Sequence, residues 1–294
     1  MPDSNYDKTV LLLPMSGVNN GVVFDDYSKI KKSVTVYGNA KTATDQYKYY
    51  GSSAKFDGAG DYLTLVDHAD FRFGSTPFSI EFYLRLAALP AAGQYWGCVG
   101  KGSGSPTTHS FMIYFNQSGA LVVNFSDGAS LYYPSIGTLV ANRWYHVSVC
   151  AIPSEGKVYR SLDGVVQLTT YSPFAIPTET NLVEIGRNTA VHYLNGHLQD
   201  LRITKGVARY TANFTPPGKL VGVLSGSVKN DVDANAIRAV CAFPRLTRMP
   251  FVETVSASDG TWSLTVPDTE HTVICLDDAA GTTYNDLIHR ATPV

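Results

Sequence analysis

The sequence predicts an all-β protein, a two-sheet antiparallel jelly-roll sandwich followed by a small second β-sandwich. Its 294 residues include 18 tyrosines and 13 phenylalanines, which favour strands, and 25 glycines and 15 prolines, which favour turns. No segment keeps the apolar period of about 3.6 residues that an amphipathic helix needs. About eleven or more short antiparallel strands over roughly 200 residues are too many for one flat sheet, so two curved sheets packed face to face are expected.

The stretch 54–86 carries the clearest local pattern. It opens with a tight turn, 56–61, whose two glycines accept positive φ and whose aspartates can bond neighbouring amides. In 78–86, apolar and polar side chains alternate strictly. This alternation predicts a strand with one dry face and places Glu81 on the other face as an outward-facing charge.

Further apolar segments with period-two alternation predict strands through most of the chain. Hairpin signals join several of them, among them Asp163-Gly164, which favours a two-residue type I′ turn. The predicted strands are 10–13, 33–37, 62–65, 78–86, 95–99, 111–115, 121–125, 144–151, 158–162, 182–185 and 197–203.

A domain boundary is predicted near residue 218. The chain there reads FTPPG, and Pro-Pro-Gly cannot continue a central strand. A new series of strand-like segments then follows at 221–229, 236–243, 251–257, 261–266 and 271–277. The predicted domains are residues 1–217, the jelly roll, and residues 218–294, the small sandwich.

Charge and hydropathy argue against two classes of partner. With 23 Lys+Arg against 25 Asp+Glu, the net charge is -2, so no basic surface directs the chain toward nucleic acid or anionic lipid. No apolar run approaches the ~20 residues of a membrane-spanning helix, and the N-terminal residues lack a basic region followed by an apolar segment. We expect no nucleic-acid partner and no membrane span.

The four cysteines fall in strand-like runs and lack the spacing of a zinc site. We expect them to be buried free thiols, because unpaired cysteine is among the most buried residue types. Intradomain disulfides are the alternative. The four residues are Cys98, Cys150, Cys241 and Cys275.

Short motifs follow one another in a fixed order along the first domain. They are LLLPM at 11–15, FDD at 24–26, FDGAGDYL at 56–63, FRFG at 71–74, FSIEF at 78–82, RWYHV at 143–147, LDGV at 162–165, IGR at 185–187, GHLQDLRITKGVARY at 196–210 and FTPP at 214–217. The set resembles the laminin G-like branch of the concanavalin A-like lectin/glucanase superfamily, in the version carried by structural proteins of tailed bacteriophages. In the second domain, DGTWSL at 259–264 resembles the hairpin of small immunoglobulin-like domains of the carboxypeptidase regulatory-like type.

The resemblance implies a non-enzymatic virion structural protein of a tailed bacteriophage, a component of the tail, a fibre or the baseplate. Its lectin-like domain would bind a host-surface polysaccharide or another virion protein. Two alternatives stay open: a capsid decoration or cement protein that binds no sugar, and a polysaccharide depolymerase. The expected location is the virion, the expected partners are other virion structural proteins, and the chain is expected to form a homo-oligomer.

No catalytic residue is predicted. Members of the superfamily that cleave β-glucans carry paired carboxylates on one strand, one as nucleophile and one as acid. None of the six glutamates in this chain has an aspartate two residues later. His146 and Ser148 share one strand face, as any two residues at that spacing do, and the chain has no Gly-x-Ser-x-Gly elbow.

Calcium is a candidate cofactor, because the laminin G-like branch often uses it to support loops. Calcium takes six to eight oxygen ligands, which loops rich in aspartate supply. The alternative is that the aspartates only stabilise turns. The candidate ligands are Asp57, Asp61, Asp67, Asp70 and Asp200.

Sugar binding needs aromatic faces with polar side chains beside them, because pyranose rings stack their C–H faces while their hydroxyls require partners. Aromatic and polar residues in predicted loops are the candidates, with the alternative that they belong to the core or the sheet surface. They are Tyr95, Tyr132, Tyr133, Asn188, His192 and Tyr193.

Overall fold

The structure, a computed structural model, describes residues 3–102, 109–116, 118–188, 192–228, 235–244, 252–268, 271–276, 287–291 and 293. Strands and turns dominate, with only short 3-10 turns, which confirms the all-β prediction. No helix in these ranges is long and apolar enough to cross a membrane. The chain divides into two compact units, Lys8–Pro217 and Gly218–Val294 with Met1–Asp7. The division into domains 1–217 and 218–294 stays a prediction.

The unit Lys8–Pro217 is built from short antiparallel strands. They are β1 (Thr9–Leu13), β2 (Val34–Tyr37), β3 (Lys41–Ala43), β4 (Ser53–Asp57), β5 (Tyr62–Leu65), β6 (Phe78–Leu86), β7 (Trp96–Gly102), β8 (His109–Phe115), β9 (Ala120–Ser126), β10 (Leu131–Tyr132), β11 (Ser135–Thr138), β12 (Trp144–Ile152), β13 (Lys157–Leu162), β14 (Val165–Thr170), β15 (Val183–Ile185), β16 (Arg187–Asn188), β17 (His192–Tyr193) and β18 (Asn195–Lys205).

These strands form two eight-stranded sheets. The first has the order β14-β13-β12-β6-β18-β4-β3, with β1 also paired to β18. The second has the order β10-β9-β8-β7-β15-β5-β2, with β11 also paired to β9, and β16 and β17 form a separate hairpin. The two-sheet antiparallel sandwich is therefore confirmed.

The core lies between the inner faces of the two sheets. Phe82 of β6 in the first sheet and Leu63 and Val123 of the second belong to one continuous cluster of buried apolar side chains. Aromatic rings fill the centre, where Phe73 stacks on Phe78 with ring centroids 4.1 Å apart. The period-two alternation of the sequence is what supplies each sheet with this apolar face.

The turn at 56–61 has the predicted conformation. Gly58 and Gly60 have φ of 86° and 89°, values that a residue with a Cβ adopts only with strain. The Asp61 carboxylate accepts the backbone N–H groups of Asn39 at 2.5 Å and of Asp57 at 3.1 Å. The turn is thereby fastened to the segment between β2 and β3.

The outer face of β6 is also buried, which corrects the prediction that this strand has only one dry face. Residues 206–217, here called the covering segment, run across it. Ser79 donates to the Val207 carbonyl and accepts the Arg209 N–H, both at 2.9 Å. The Tyr83 hydroxyl donates to the Pro217 carbonyl. The covering segment replaces solvent as the hydrogen-bond partner of this face.

Glu81 lies beneath the covering segment and is only 1% exposed, so the prediction of an outward-facing charge was wrong. Its carboxylate accepts hydrogen bonds from Arg202 Nε at 2.8 Å and from the Tyr210 hydroxyl at 2.7 Å. His146 Nε2 lies 3.1 Å from the same carboxylate. Ser148 bonds instead to Ser161, so His146 and Ser148 are parts of two separate structural contacts.

The second unit contains a two-stranded sheet and a four-stranded sheet. A small apolar cluster that includes Leu224, Val240 and Val273 packs within it. Its strands are β19 (Val221–Ser227), β20 (Ala239–Pro244), β21 (Val252–Val255), β22 (Thr261–Pro267), β23 (His271–Cys275) and β24 (Leu287–Ala291), paired as β19-β22 and β21-β20-β23-β24. The immunoglobulin-like assignment of this unit stays a prediction.

All four cysteines are free thiols, as expected. Cys98, Cys150 and Cys241 are buried, and Cys275 is partly exposed. Burial raises the pKa of the Cys150 thiol to about 11, so this side chain behaves as a small apolar residue at neutral pH.

Candidate functional site

Two rows of side chains cross the outer face of the second sheet. Leu63 and Leu65 of β5 point into the core, so Tyr62 and Thr64 between them point outward. Residues that pair with these two on the neighbouring strands face the same side of the sheet and so form two rows. The first row is Thr35, Thr64, Glu184, Gly100, Met112 and Asn124, and the second contains Tyr37 and Tyr62 at one end and Tyr114 and Val122 at the other.

An aromatic group surrounds Tyr114, and we call Tyr95, Tyr114, Tyr133 and His192 the tyrosine cluster. The ring centroid of Tyr95 lies 6.0 Å from that of Tyr114 and 5.2 Å from that of His192. Tyr133 is 61% exposed, and after burial and Tyr95 it contributes to the raised pKa of Tyr114. Burial raises the pKa of Tyr114, so its hydroxyl stays a neutral group that can donate and accept hydrogen bonds.

Asn124 lies beside Tyr114 at the end of the first row. Asn124 is only 7% exposed, and its side chain lowers the pKa of the Tyr114 hydroxyl against the larger effect of burial. The side-chain oxygen Oδ1 has no hydrogen-bond partner within the described ranges. This oxygen is itself buried, so its lack of a partner is a cost to the folded state and not a contact point for a ligand in this conformation.

A second aromatic group stands at the other end of the same face. The rings of Tyr37 and Tyr62 are stacked with centroids 4.4 Å apart and an angle of 2° between their planes. Tyr193 lies 6.2 Å from Tyr62, and the Arg187 guanidinium lies 3.6 Å from the centre of the Tyr62 ring. Arg187 also forms an ion pair with Glu184 of the first row.

The sequence of this sandwich matches a known family. Residues 57–209 fit a laminin G-type model of the concanavalin A-like lectin/glucanases superfamily. The chain belongs to this superfamily. No curated protein matches its sequence significantly.

Solved structures share the lectin-like fold at low sequence identity. Domain 4 of AbnA, an extracellular GH43 arabinanase of Geobacillus stearothermophilus solved with arabinotriose, has a TM-score of 0.52 and 14% identity, covering 69% of this chain and 95% of that one. The ligand-binding domain of botulinum neurotoxin serotype D, solved with N-acetylneuraminic acid, has a TM-score of 0.52 and 10% identity. The match covers 94% of this chain and 72% of that domain. The binding domain of botulinum neurotoxin serotype G has a TM-score of 0.54 and 10% identity, and the match covers 97% of this chain and 71% of that domain.

The superfamily contains glucanases, so the carboxylates of the outer face are informative. Glycoside hydrolysis generally needs two carboxyl groups that flank the scissile bond. The two rows described above contain one, Glu184, and it is held by Arg187.

Three of the six predicted sugar-binding residues meet in the tyrosine cluster: Tyr95, Tyr133 and His192. Tyr193 lies in the second aromatic group. The backbone of Asn188 belongs to β16, and its side chain lies outside the described part.

Tyr132 is separate from both aromatic groups. Its ring packs on Tyr171 and Phe174, with centroids 4.7 and 5.0 Å away. Its hydroxyl donates to Asp127 at 2.7 Å. These contacts give Tyr132 a packing role at the edge of the core.

The structure does not bring the five predicted calcium ligands together. Asp57 and Asp61 share the turn at 56–61, and both oxygens of Asp61 accept backbone N–H groups. Burial raises the pKa of Asp61. Asp200 is far along the chain in β18 and accepts the Tyr50 hydroxyl at 2.8 Å.

Asp67 and Asp70 are both neutralised by protein cations. Asp67 forms ion pairs with Arg72 and, at 3.0 Å, with the buried Lys101. Asp70 pairs with Lys32 at 2.9 Å. Among the described residues, no group of three or more His, Cys, Asp or Glu could hold a metal ion. Calcium binding stays a prediction, which thermal melting in calcium and in EDTA would test.

Sequence reasoning missed Tyr114, Asn124 and Arg187. A signal for the first two was present, because the alternation in 111–115 and 121–125 places Tyr114 and Asn124 opposite to the core-facing residues. The order of the strands, which brings them beside Tyr95 and His192, could not be deduced from that alternation.

Proposed function

We propose that this chain is a non-enzymatic virion structural protein of a tailed bacteriophage whose lectin-like sandwich binds a host-surface glycan through the tyrosine cluster. The observation that carries the binding proposal is the group of aromatic rings around Tyr114. The exposed ring of Tyr133 offers a stacking face to the apolar side of a sugar.

The polar groups of the cluster suit a neutral sugar. Sugar hydroxyls are donors and acceptors at once, and so are the tyrosine hydroxyls of the cluster. The Tyr114 hydroxyl and the His192 ring offer further polar contacts, since both side chains are partly exposed. Lectin-like domains of the same fold, solved with arabinotriose and with N-acetylneuraminic acid, support sugar as the ligand class.

The virion assignment is supported by the ordered motifs from 11–15 to 214–217, which resemble structural proteins of tailed phages. In this proposal the chain acts in the tail, a fibre or the baseplate, where adhesion to the host is useful. Its partners are other virion proteins and further copies of itself. Light scattering on the purified chain measures the proposed homo-oligomer directly.

Glycan binding is tested with Tyr133→Ala and a matched control. A panel of neutral bacterial surface oligosaccharides identifies a ligand, and calorimetry then measures its affinity. Losing one stacking ring weakens binding about three- to tenfold. Tyr47→Ala removes a tyrosine that is 51% exposed elsewhere and leaves the affinity unchanged. Equal affinity of both variants and the parent would refute the assignment of the site.

The virion role is tested by gold-labelled antibody in electron microscopy of the phage. Label on the tail tip, fibres or baseplate supports the adhesion role. Label spread over the head would favour the alternative, a capsid decoration or cement protein. Release of reducing ends from a bound polysaccharide would overturn the non-enzymatic assignment and revive the depolymerase alternative.

A further inference from the structure

A cleft of about 480 Å³ lies at the β3–β4 edge of the first sheet, apart from the tyrosine cluster. Its lining includes Asn39, Lys41, Lys55, Asp57 and Asp61. Its volume falls within the range of about 300–1,000 Å³ that small-molecule sites occupy. Since Asp61 is fully engaged by backbone N–H groups, it forms a wall of the cleft and is not free for a ligand.

The two lysines of the cleft stand directly opposite each other. The β3–β4 register pairs Lys41 with Lys55, so both side chains leave the same face of the sheet. Like charges in this position destabilise a sheet unless an anion compensates them. Asp45 compensates Lys55, with an Nζ–Oδ2 distance of 2.7 Å. No salt bridge of Lys41 occurs in the described ranges.

The other cleft side chains favour hydroxyl groups. The exposed Asp57 carboxylate uses one oxygen to accept the Ala59 N–H at 2.8 Å, and a carboxylate has about four acceptor positions. Asn39 is exposed and carries both a donor and an acceptor. The cleft thus presents the Lys41 ammonium group, which has no salt bridge among the described residues, next to acceptors that suit O–H donors.

We propose that this cleft binds a carboxylate-bearing sugar, a hexuronate unit of an acidic polysaccharide. Lys41 pairs with the sugar carboxylate, and Asp57 and Asn39 bind ring hydroxyls. A phosphate dianion fits less well, because Asp57 repels its second negative charge in addition to the first, whereas a carboxylate carries only one. The site lies on residues separate from the tyrosine cluster, so it does not depend on that cluster's function.

The test compares acids with their own methyl esters, which keep the sugar skeleton and remove the charge. Trimers of galacturonate, glucuronate and mannuronate, and the corresponding esters, are titrated calorimetrically into the full chain at low salt. We expect at least one acid to bind more tightly than its ester. Lys41→Gln lowers the affinity for that acid about fivefold, to the affinity that the parent has for the ester.

Lys31→Gln is the matched control, because it removes an equal charge from an exposed lysine outside the cleft. It leaves the affinity for the acid unchanged. Lysines on edge strands also prevent sheets from pairing. The proposal would be overturned if the acid and the ester bound with equal affinity, or if Lys41→Gln bound the acid as tightly as the parent. Lys41 would then serve only to prevent pairing of the edge strand.

The same titrations separate the two sites. Tyr133→Ala keeps full affinity for the acid if the acid binds in the cleft. Loss of acid binding in Tyr133→Ala, with Lys41→Gln unaffected, would place the acid at the tyrosine cluster. The cleft proposal would then fail while the proposed glycan-binding function stands.

Discussion

Replacing Glu81 by glutamine tests how strongly the buried charges hold the covering segment to the first sheet. The substitution keeps the size of the side chain and removes its charge. Arg202, whose side chain is 6% exposed, then loses the carboxylate that lies 2.7 Å from its Nη2. Breaking a buried ion pair in this way costs about 3–5 kcal/mol. For a unit of about 200 residues, this corresponds to a melting temperature lower by roughly 6 to 20 °C.

Calorimetry and urea unfolding at neutral pH measure this loss. Glu155→Gln serves as the control, because Glu155 is 52% exposed in its ion pair with Lys157 and is expected to contribute at most about 1 kcal/mol. If Glu81→Gln unfolds within 1 kcal/mol of the parent, the carboxylate is not an integral part of the packed face and the reasoning fails.

The pH dependence of the same difference gives a second measurement. Burial alone raises the pKa of Glu81, but the Arg202 charge and the His146 hydrogen bond outweigh it and hold the pKa below its ordinary value. A lowered folded-state pKa contributes stability above the unfolded pKa, about 4.3, and the contribution is lost as the pH falls below that value. The gap between parent and Glu81→Gln should stay constant above about pH 5 and shrink in stronger acid.

Three further predictions concern single side chains. Gly58→Val should lower the melting temperature more than Gly60→Val. Both positions have positive φ, but of the two only a Cβ at Gly58 meets another side chain, Asn195, at 3.1 Å. Equal melting temperatures of the two variants would contradict this. Tyr210→Phe removes the 2.7 Å hydrogen bond to Glu81 and should cost about 1–2 kcal/mol in urea unfolding. The Cys150 thiol should react with a thiol reagent at pH 8 only after unfolding, because burial raises its pKa to about 11. Rapid reaction of the native protein would refute this burial.

The fold was predictable because its determinants are local. Period-two alternation in segments such as Phe78–Leu86 fixes which side chains face the core, and the predicted bounds of β5 and β6 agree with the structure. The strands β3 and β4 were missed as strands. β3 is only three residues long and β4 runs directly into the glycine turn, so neither offers a full alternation.

The candidate site was only partly predictable, because it depends on contacts between distant segments. Tyr95 and His192 were identified as aromatic loop residues, but their distance of 5.2 Å follows from the hairpin of β16 and β17 lying beside β7. Glu81 was misassigned for the same reason. Its exposure is decided by Tyr210, more than a hundred residues later, and strand periodicity contains no information about that segment.

The two outer faces of the sandwich have different chemistry, and this difference assigns them different roles. On the first sheet, the covering segment satisfies Ser79, Tyr83 and Glu81, so this face contributes stability. On the second sheet, the ring of Tyr133 remains exposed, so this face has an aromatic group left for a ligand. The two effects should therefore separate: a change at Tyr210 lowers stability without altering glycan affinity, whereas a change at Tyr133 lowers glycan affinity without altering stability. A loss of glycan affinity on changing the first sheet alone would show that the binding face has been placed on the wrong side of the sandwich.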